Sequence, residues 1–305
     1  MRSWSIRVCA ILLIPFLFLT AAPAGASVDL SAGLSAPGSY AVGYADVSVS
    51  ASGRSFGARV YYPATSAGSG TAVASGQFPA VAFGHGFFQS ISKYASLGGH
   101  WASWGTITIM PTSQGGLLPS HGAFADDLNA ALTWIVAQNT TAGSRFNAHV
   151  RTDRLGLSGH SMGGGASVLA AARNSAVRTV TNLAAAETNP SAKAAAATTA
   201  VPMQLVAGTN DSVAGPSGNQ IPIYNAKLAP KQLRTIIGGF HCGFTDSGGI
   251  GCDSGSISRA AQQEITRRVT TAWLLYYLHD DTAQHDAAWG TSAQTDPAVQ
   301  FLGVQ

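Results

Sequence analysis

Two stretches near the start of the chain, residues 41–50 and 54–62, alternate polar and apolar side chains with a period of two. Successive side chains of an extended chain face opposite sides, so this alternation predicts two half-buried strands. The turn Ala51-Ser52-Gly53 between them predicts antiparallel pairing. Residues 64–76, TSAGSGTAVASGQ, then form a loop of small residues. Beyond it the pattern changes to short apolar runs separated by helix-length segments. Strands are predicted at 78–83, 106–110, 154–158, 177–183, 203–207 and 232–237, the last of them closing the sheet. Helices are predicted at 92–104, 121–138, 161–173 and 257–278. Strands that alternate with helices predict a mainly parallel sheet covered on both faces. No repeat interrupts the series, and one α/β domain over 27–305 is expected.

The first 26 residues stand apart from that pattern. Arg2 and Arg7 precede an almost wholly apolar run over 8–22, and Ala24-Gly25-Ala26 offers a small-x-small cleavage site. This is the order of a secretory signal peptide, and a run of about 15 apolar residues is short for a span. A secreted protein with no integral span in its mature part is expected. Removing Arg2 and Arg7 from the 17 Lys and Arg leaves 15 basic side chains against 14 acidic ones. No basic stripe remains, which argues against nucleic acid as a partner. Hydrophobic residues make up 46% of the chain, enough for a sizeable core and too much for a disordered one. Export also leaves two cysteines, Cys242 and Cys252, and an even pair in an oxidising compartment predicts a disulfide. No second Cys/His pair accompanies them, so neither a metal nor a cofactor is called for.

Chemistry enters at Gly159-His160-Ser161-Met162-Gly163, a G-x-S-x-G pattern. It sits between an apolar strand and a glycine- and alanine-rich helix, where a nucleophile elbow requires small neighbours and a tight turn. Ser161 is the candidate nucleophile. On this fold the acid and then the base follow the serine along the chain. That order removes His85, His100 and His121, and His160 lies within the elbow itself. His279 and His285 follow the closing helix and are expected at the surface. His241 remains, in the loop after the strand at 232–237, where parallel sheets place their ligands. Asp211, after the strand at 203–207, is the candidate acid, with Glu187 the alternative one strand earlier. Asp246 and Asp253 come after His241 and fall out of order. Two N–H donors are needed for an oxyanion. Met162 after the nucleophile is one, and Phe87 in the loop Gly84-His85-Gly86-Phe87-Phe88 is the other, with His85 in a structural role. Phe88, His160 and Glu187 are the candidate cleft residues.

These motifs together resemble the bacterial cutinase-like polyesterases, including the poly(ethylene terephthalate) hydrolases, and the related dienelactone-hydrolase-like and chlorophyllase-like esterases. The resemblance rests on His85-Gly86-Phe87, Gly159-His160-Ser161-Met162-Gly163-Gly164, Asn210-Asp211-Ser212-Val213-Ala214 and Gly238-Gly239-Phe240-His241-Cys242. It implies an α/β-hydrolase fold without a large lid, and Phe87 and Met162 flanking an acyl group. It further implies a secreted esterase, expected as a monomer, acting on small or polymeric esters. The polyesterases carry a tryptophan after the strand that follows the nucleophile helix. Here that stretch reads Ala184-Ala185-Ala186-Glu187-Thr188-Asn189-Pro190, with no aromatic wall. Within the class, a lipase, an acetyl esterase or an amidase would use the same three residues. From another class, a catalytically silent hydrolase fold used for binding would carry the pattern without needing all of it.

Overall fold

A computed structural model describes residues 32–249 and 251–305, together with Met1 and Trp4; the expected signal segment otherwise lies outside the described residues. The two alternating stretches form a long hairpin, β1 (Ala41–Ala51) and β2 (Arg54–Ala64), in the antiparallel register expected. A two-residue strand, β3 (Gly68–Ser69), pairs with β1 at the sheet edge. The apolar runs follow as β4 (Phe78–Gly84), β5 (Ile107–Pro111), β6 (Val150–His160), β7 (Val177–Leu183), β8 (Met203–Gly208) and β9 (Lys231–Ile236). They pair in parallel, in the order β9-β8-β7-β6-β4-β5, with the antiparallel β2 beyond β5. The helices are α1 (Ala95–Ser103), α2 (His121–Gln138), α3 (Met162–Ala171), α4 (Ala192–Ala196), α5 (Gln220–Ala226) and α6 (Arg259–Leu278).

The period of two along the central strands decides which helix covers which face. In β4, Ala80 and Ala82 point into a core shared with Phe124, Leu128 and Leu132 of α2 and Val168 of α3. The intervening Val81 and Phe83 point the other way, against Leu97 and Trp101 of α1 and Val269 and Leu274 of α6. Both faces of β4 are therefore buried, which is why it reads as an unbroken apolar run rather than an alternating one.

Four expectations are corrected by the tertiary arrangement. The strand at 232–237 is not the last: β10 (Val299–Val304) adds to β9 as an antiparallel edge. Its side chains beyond Val299 are half-buried or exposed, so it lacks the apolar run that marks the central strands. The helix expected at 92–104 is a 3-10 turn (Ile91–Tyr94) followed by α1. The strand expected at 154–158 starts at Val150, its first half hidden by the polar Arg151, Thr152 and Asp153. The helices α4 and α5 fall in stretches with no clear apolar period and had not been expected.

Candidate active site

Strand β6 ends at His160, and α3 starts at Met162, so a single residue makes the reversal. Ser161 has φ 55° and ψ −118°, a left-handed conformation that a side chain adopts only when its surroundings impose it. They do so by close approach. A Cβ on Gly159 would lie 2.3 Å from the backbone of Gly163, and one on Gly163 would lie 2.1 Å from Gly84 O. Neither position tolerates a side chain, so both outer glycines of the motif follow from packing α3 against β4 and β6. Leu183 O takes the Ser161 N–H at 3.0 Å, and Ser161 O accepts from Gly165 and Ala186. Met162 opens the helix, and its N–H has no acceptor within the first turn.

The loop after β9 carries His241 back over the carboxyl end of the sheet. Its Nδ1 lies 2.8 Å from Asp211 Oδ2 in the loop after β8. The other carboxylate oxygen, Oδ1, accepts from the N–H groups of Val213 and Ala214 at 2.9 and 2.7 Å. An acceptor at Nδ1 places the ring hydrogen there and leaves Nε2 free to take a proton. His241 and Ser161 line one cavity of about 390 Å³, with Phe87, Phe88, Leu117 and Val213 forming much of its wall. Those four apolar side chains are also exposed, so the mouth of the cavity is greasy.

His85 is buried, with Nδ1 and Nε2 each 2.9 Å from a backbone carbonyl, those of Gly86 and Ser113. That is the structural part expected of it. His160 is buried too and lines the cavity, and Phe88 stands beside it on the wall. Glu187, expected in the cleft, is not among the cavity-lining residues. Its carboxylate accepts from the Ser191 hydroxyl and from Lys193 N–H, so it caps α4 instead. His279, expected at the surface, is half-buried: its Nε2 lies 3.0 Å from Thr106 Oγ1, and burial pushes its pKa down to about 4. His285 is exposed.

Cys242 and Cys252 form a disulfide across ten residues of chain. Its consequence lies one residue further on. Asp253 Oδ2 accepts from His241 N–H at 2.9 Å and from Ser212 N–H at 3.2 Å, while Oδ1 accepts from Cys242 N–H at 3.0 Å. One carboxylate thus ties the histidine loop to the aspartate loop. Chain order had set Asp253 aside. The signal that could have found it is its adjacency to a half-cystine whose partner neighbours His241.

The model of the PET hydrolase-like family matches residues 20–300. The chain belongs to that family. Its mostly parallel sheet with helices on both faces is the α/β-hydrolase fold, and an ester hydrolase is the activity that membership supports. In this PET hydrolase-like chain the apolar wall of the cavity comes from the loops after β4, β5 and β8, not from residues 184–190. Among the described residues, no helix is long and apolar enough to cross a membrane, and no cluster of His, Cys, Asp and Glu could hold a metal ion.

Proposed function

We propose that the protein is a secreted serine esterase that cleaves carboxylic esters through an acyl-enzyme. The observation that carries this reading is the 2.8 Å contact between His241 Nδ1 and Asp211 Oδ2, with Ser161 held at a strained elbow in the same cavity. Asp211 fixes the imidazole with Nε2 bare, so His241 takes the proton of Ser161 as its oxygen attacks the ester carbonyl. The N–H groups of Met162 and Phe87 stabilise the resulting oxyanion. Collapse of that intermediate breaks the bond to the alkoxy group, which leaves with the proton from His241. Water, activated in turn by His241, then releases the carboxylic acid and regenerates Ser161. The chemistry uses the chain's own groups throughout. The exposed apolar side chains at the mouth favour apolar acyl or aryl groups, and they suit esters presented on a water-insoluble surface as well as small ones.

Purified protein should hydrolyse p-nitrophenyl esters and be labelled by an alkyl phosphonate at Ser161. Ser161→Ala should fold normally and lose about 10⁴–10⁶ of kcat. Retention of more than about a tenth of the activity would remove Ser161 from the role. A panel of short, long and polymeric esters assigns the substrate within the class.

A further inference from the structure

A row of buried hydrogen bonds runs beneath the cavity and joins three of its loops. Gly86 N–H donates to Tyr94 Oη at 2.9 Å. Tyr94 Oη lies 2.9 Å from His160 Nδ1, and His160 Nε2 lies 3.2 Å from the backbone carbonyl of His241. Chemistry assigns every direction in the row. A carbonyl can only accept, so Nε2 of His160 carries the ring hydrogen. A backbone N–H can only donate, so Gly86 uses a lone pair of Tyr94 and the phenolic hydrogen points to Nδ1. Each donor then meets one acceptor, and the two ends are a neighbour of Phe87 and the backbone of His241.

Packing holds the row in place from every side. Gly86, Tyr94, His160 and His241 are all buried. A Cβ on Gly86 would lie 2.9 Å from His160 Nδ1 and 3.1 Å from Tyr94 Oη, so the row sits directly on the backbone of that loop. The Tyr94 ring packs on Phe83, and the His160 ring lies 4.5 Å, centroid to centroid, from that of His241. Burial, and then the nearby His241, hold the pKa of His160 well below its ordinary value. A neutral ring there leaves no cation beside the imidazolium that His241 becomes during acyl transfer.

We propose that Tyr94, acting through His160, is a positioning residue: the row Gly86–Tyr94–His160–His241 sets the distance between the loop that supplies the Phe87 N–H and the loop that supplies the imidazole. The proposal rests on the serine-esterase reading above. The Tyr94 hydroxyl does not line the cavity, and its effect falls on the transition state rather than on substrate binding.

Tyr94→Phe removes one oxygen atom and leaves Gly86 N–H and His160 Nδ1 buried without partners. It should lower kcat about tenfold or more while KM stays within about twofold. Affinity for a boronic acid, which forms a tetrahedral adduct on the serine, should fall by the same factor as kcat. His160→Gln rebuilds the row, since an amide offers an acceptor oxygen and a donor nitrogen, and should retain clearly more kcat than His160→Leu, which cannot. His160→Leu should be as slow as Tyr94→Phe, and the double variant no slower than His160→Leu alone. Nitrogen-15 NMR of the parent enzyme should find His160 neutral with its hydrogen on Nε2. Unchanged kcat and boronate affinity in Tyr94→Phe would overturn the proposal, as would multiplying effects in the double variant or a hydrogen on Nδ1. If Tyr94→Phe does not fold, the comparison of Gln with Leu at 160 and the NMR assignment decide. An active Ser161→Ala sinks the reading of Ser161 as the nucleophile, whereas an inactive one with a fully active Tyr94→Phe sinks the row alone.

Discussion

Replacing Asp253 by Asn tests how the candidate base is held. The side chain barely changes shape, yet the amide keeps only one acceptor. Oδ2 serves His241 and Ser212, and Oδ1 serves Cys242. Whichever oxygen becomes the amide nitrogen, a donor is brought against one or two backbone donors. Bonds to a charged acceptor contribute about 1.5–3 kcal/mol each. Asp253 is half-buried, so solvent screens part of this, and a loss of about 2–3 kcal/mol is expected. In a domain of this size that corresponds to roughly 4–5 °C in melting temperature. Activity should fall further than stability implies, because the released backbone carries His241. The assay pairs thermal melting with kcat/KM on a p-nitrophenyl ester for Asp253→Asn and Asp253→Ala. Asn should be nearly as damaging as Ala, since the lost acceptor matters rather than the lost volume. An Asn variant with parental melting temperature and kcat/KM would refute the account of how the two loops are joined.

Asp211→Asn should cost about 10⁴ in kcat, because an amide nitrogen facing Nδ1 forces the hydrogen of His241 onto Nε2. Glu187→Gln should leave kcat nearly unchanged and weaken the start of α4; a larger kcat loss at 187 than at 211 would reassign the acid. Reducing the Cys242–Cys252 disulfide should remove about 2–3 kcal/mol of stability, with activity falling before global unfolding. Two alkylatable thiols in protein purified without reductant would contradict it. His100 is buried against Leu34 O and Thr271, and burial pushes its pKa down to about 4. The unfolded chain therefore binds a proton that the folded one refuses as pH falls below about 6.5, and stability declines between about pH 6.5 and 4. His100→Gln should flatten that decline by about 2–3 kcal/mol between pH 7.5 and 4.5, read by urea denaturation. An unaltered decline would mean that His100 is not the group responsible.

Much of this molecule was legible in the sequence because local physics decides it. Period-two alternation places β1 and β2, and short apolar runs mark β4, β5 and β8, strands covered on both faces, whereas β7 and β9 also bury polar side chains such as Asn182, Gln232 and Arg234. Chain order together with position at the carboxyl ends of strands nominates His241 and, with Glu187 as the alternative, Asp211, and the structure brings the side chains of Asp211 and His241 to 2.8 Å. Small residues around Ser161 announce a tight turn before any coordinate is known. The exposed edge β10 was illegible because strand pairing, not an apolar run, creates it. Glu187 looked like a cleft residue by position, yet the start of α4 nearby captures its carboxylate. Tyr94, the bonding partners of Asp253 and the tautomer of His160 were not legible in the sequence for a shared reason. Their partners lie 8 to 81 residues away, and several of those partners are backbone N–H or C=O groups that every residue carries. Side-chain types and spacings can nominate the reacting groups; only the folded chain determines which anonymous backbone atoms hold them in place.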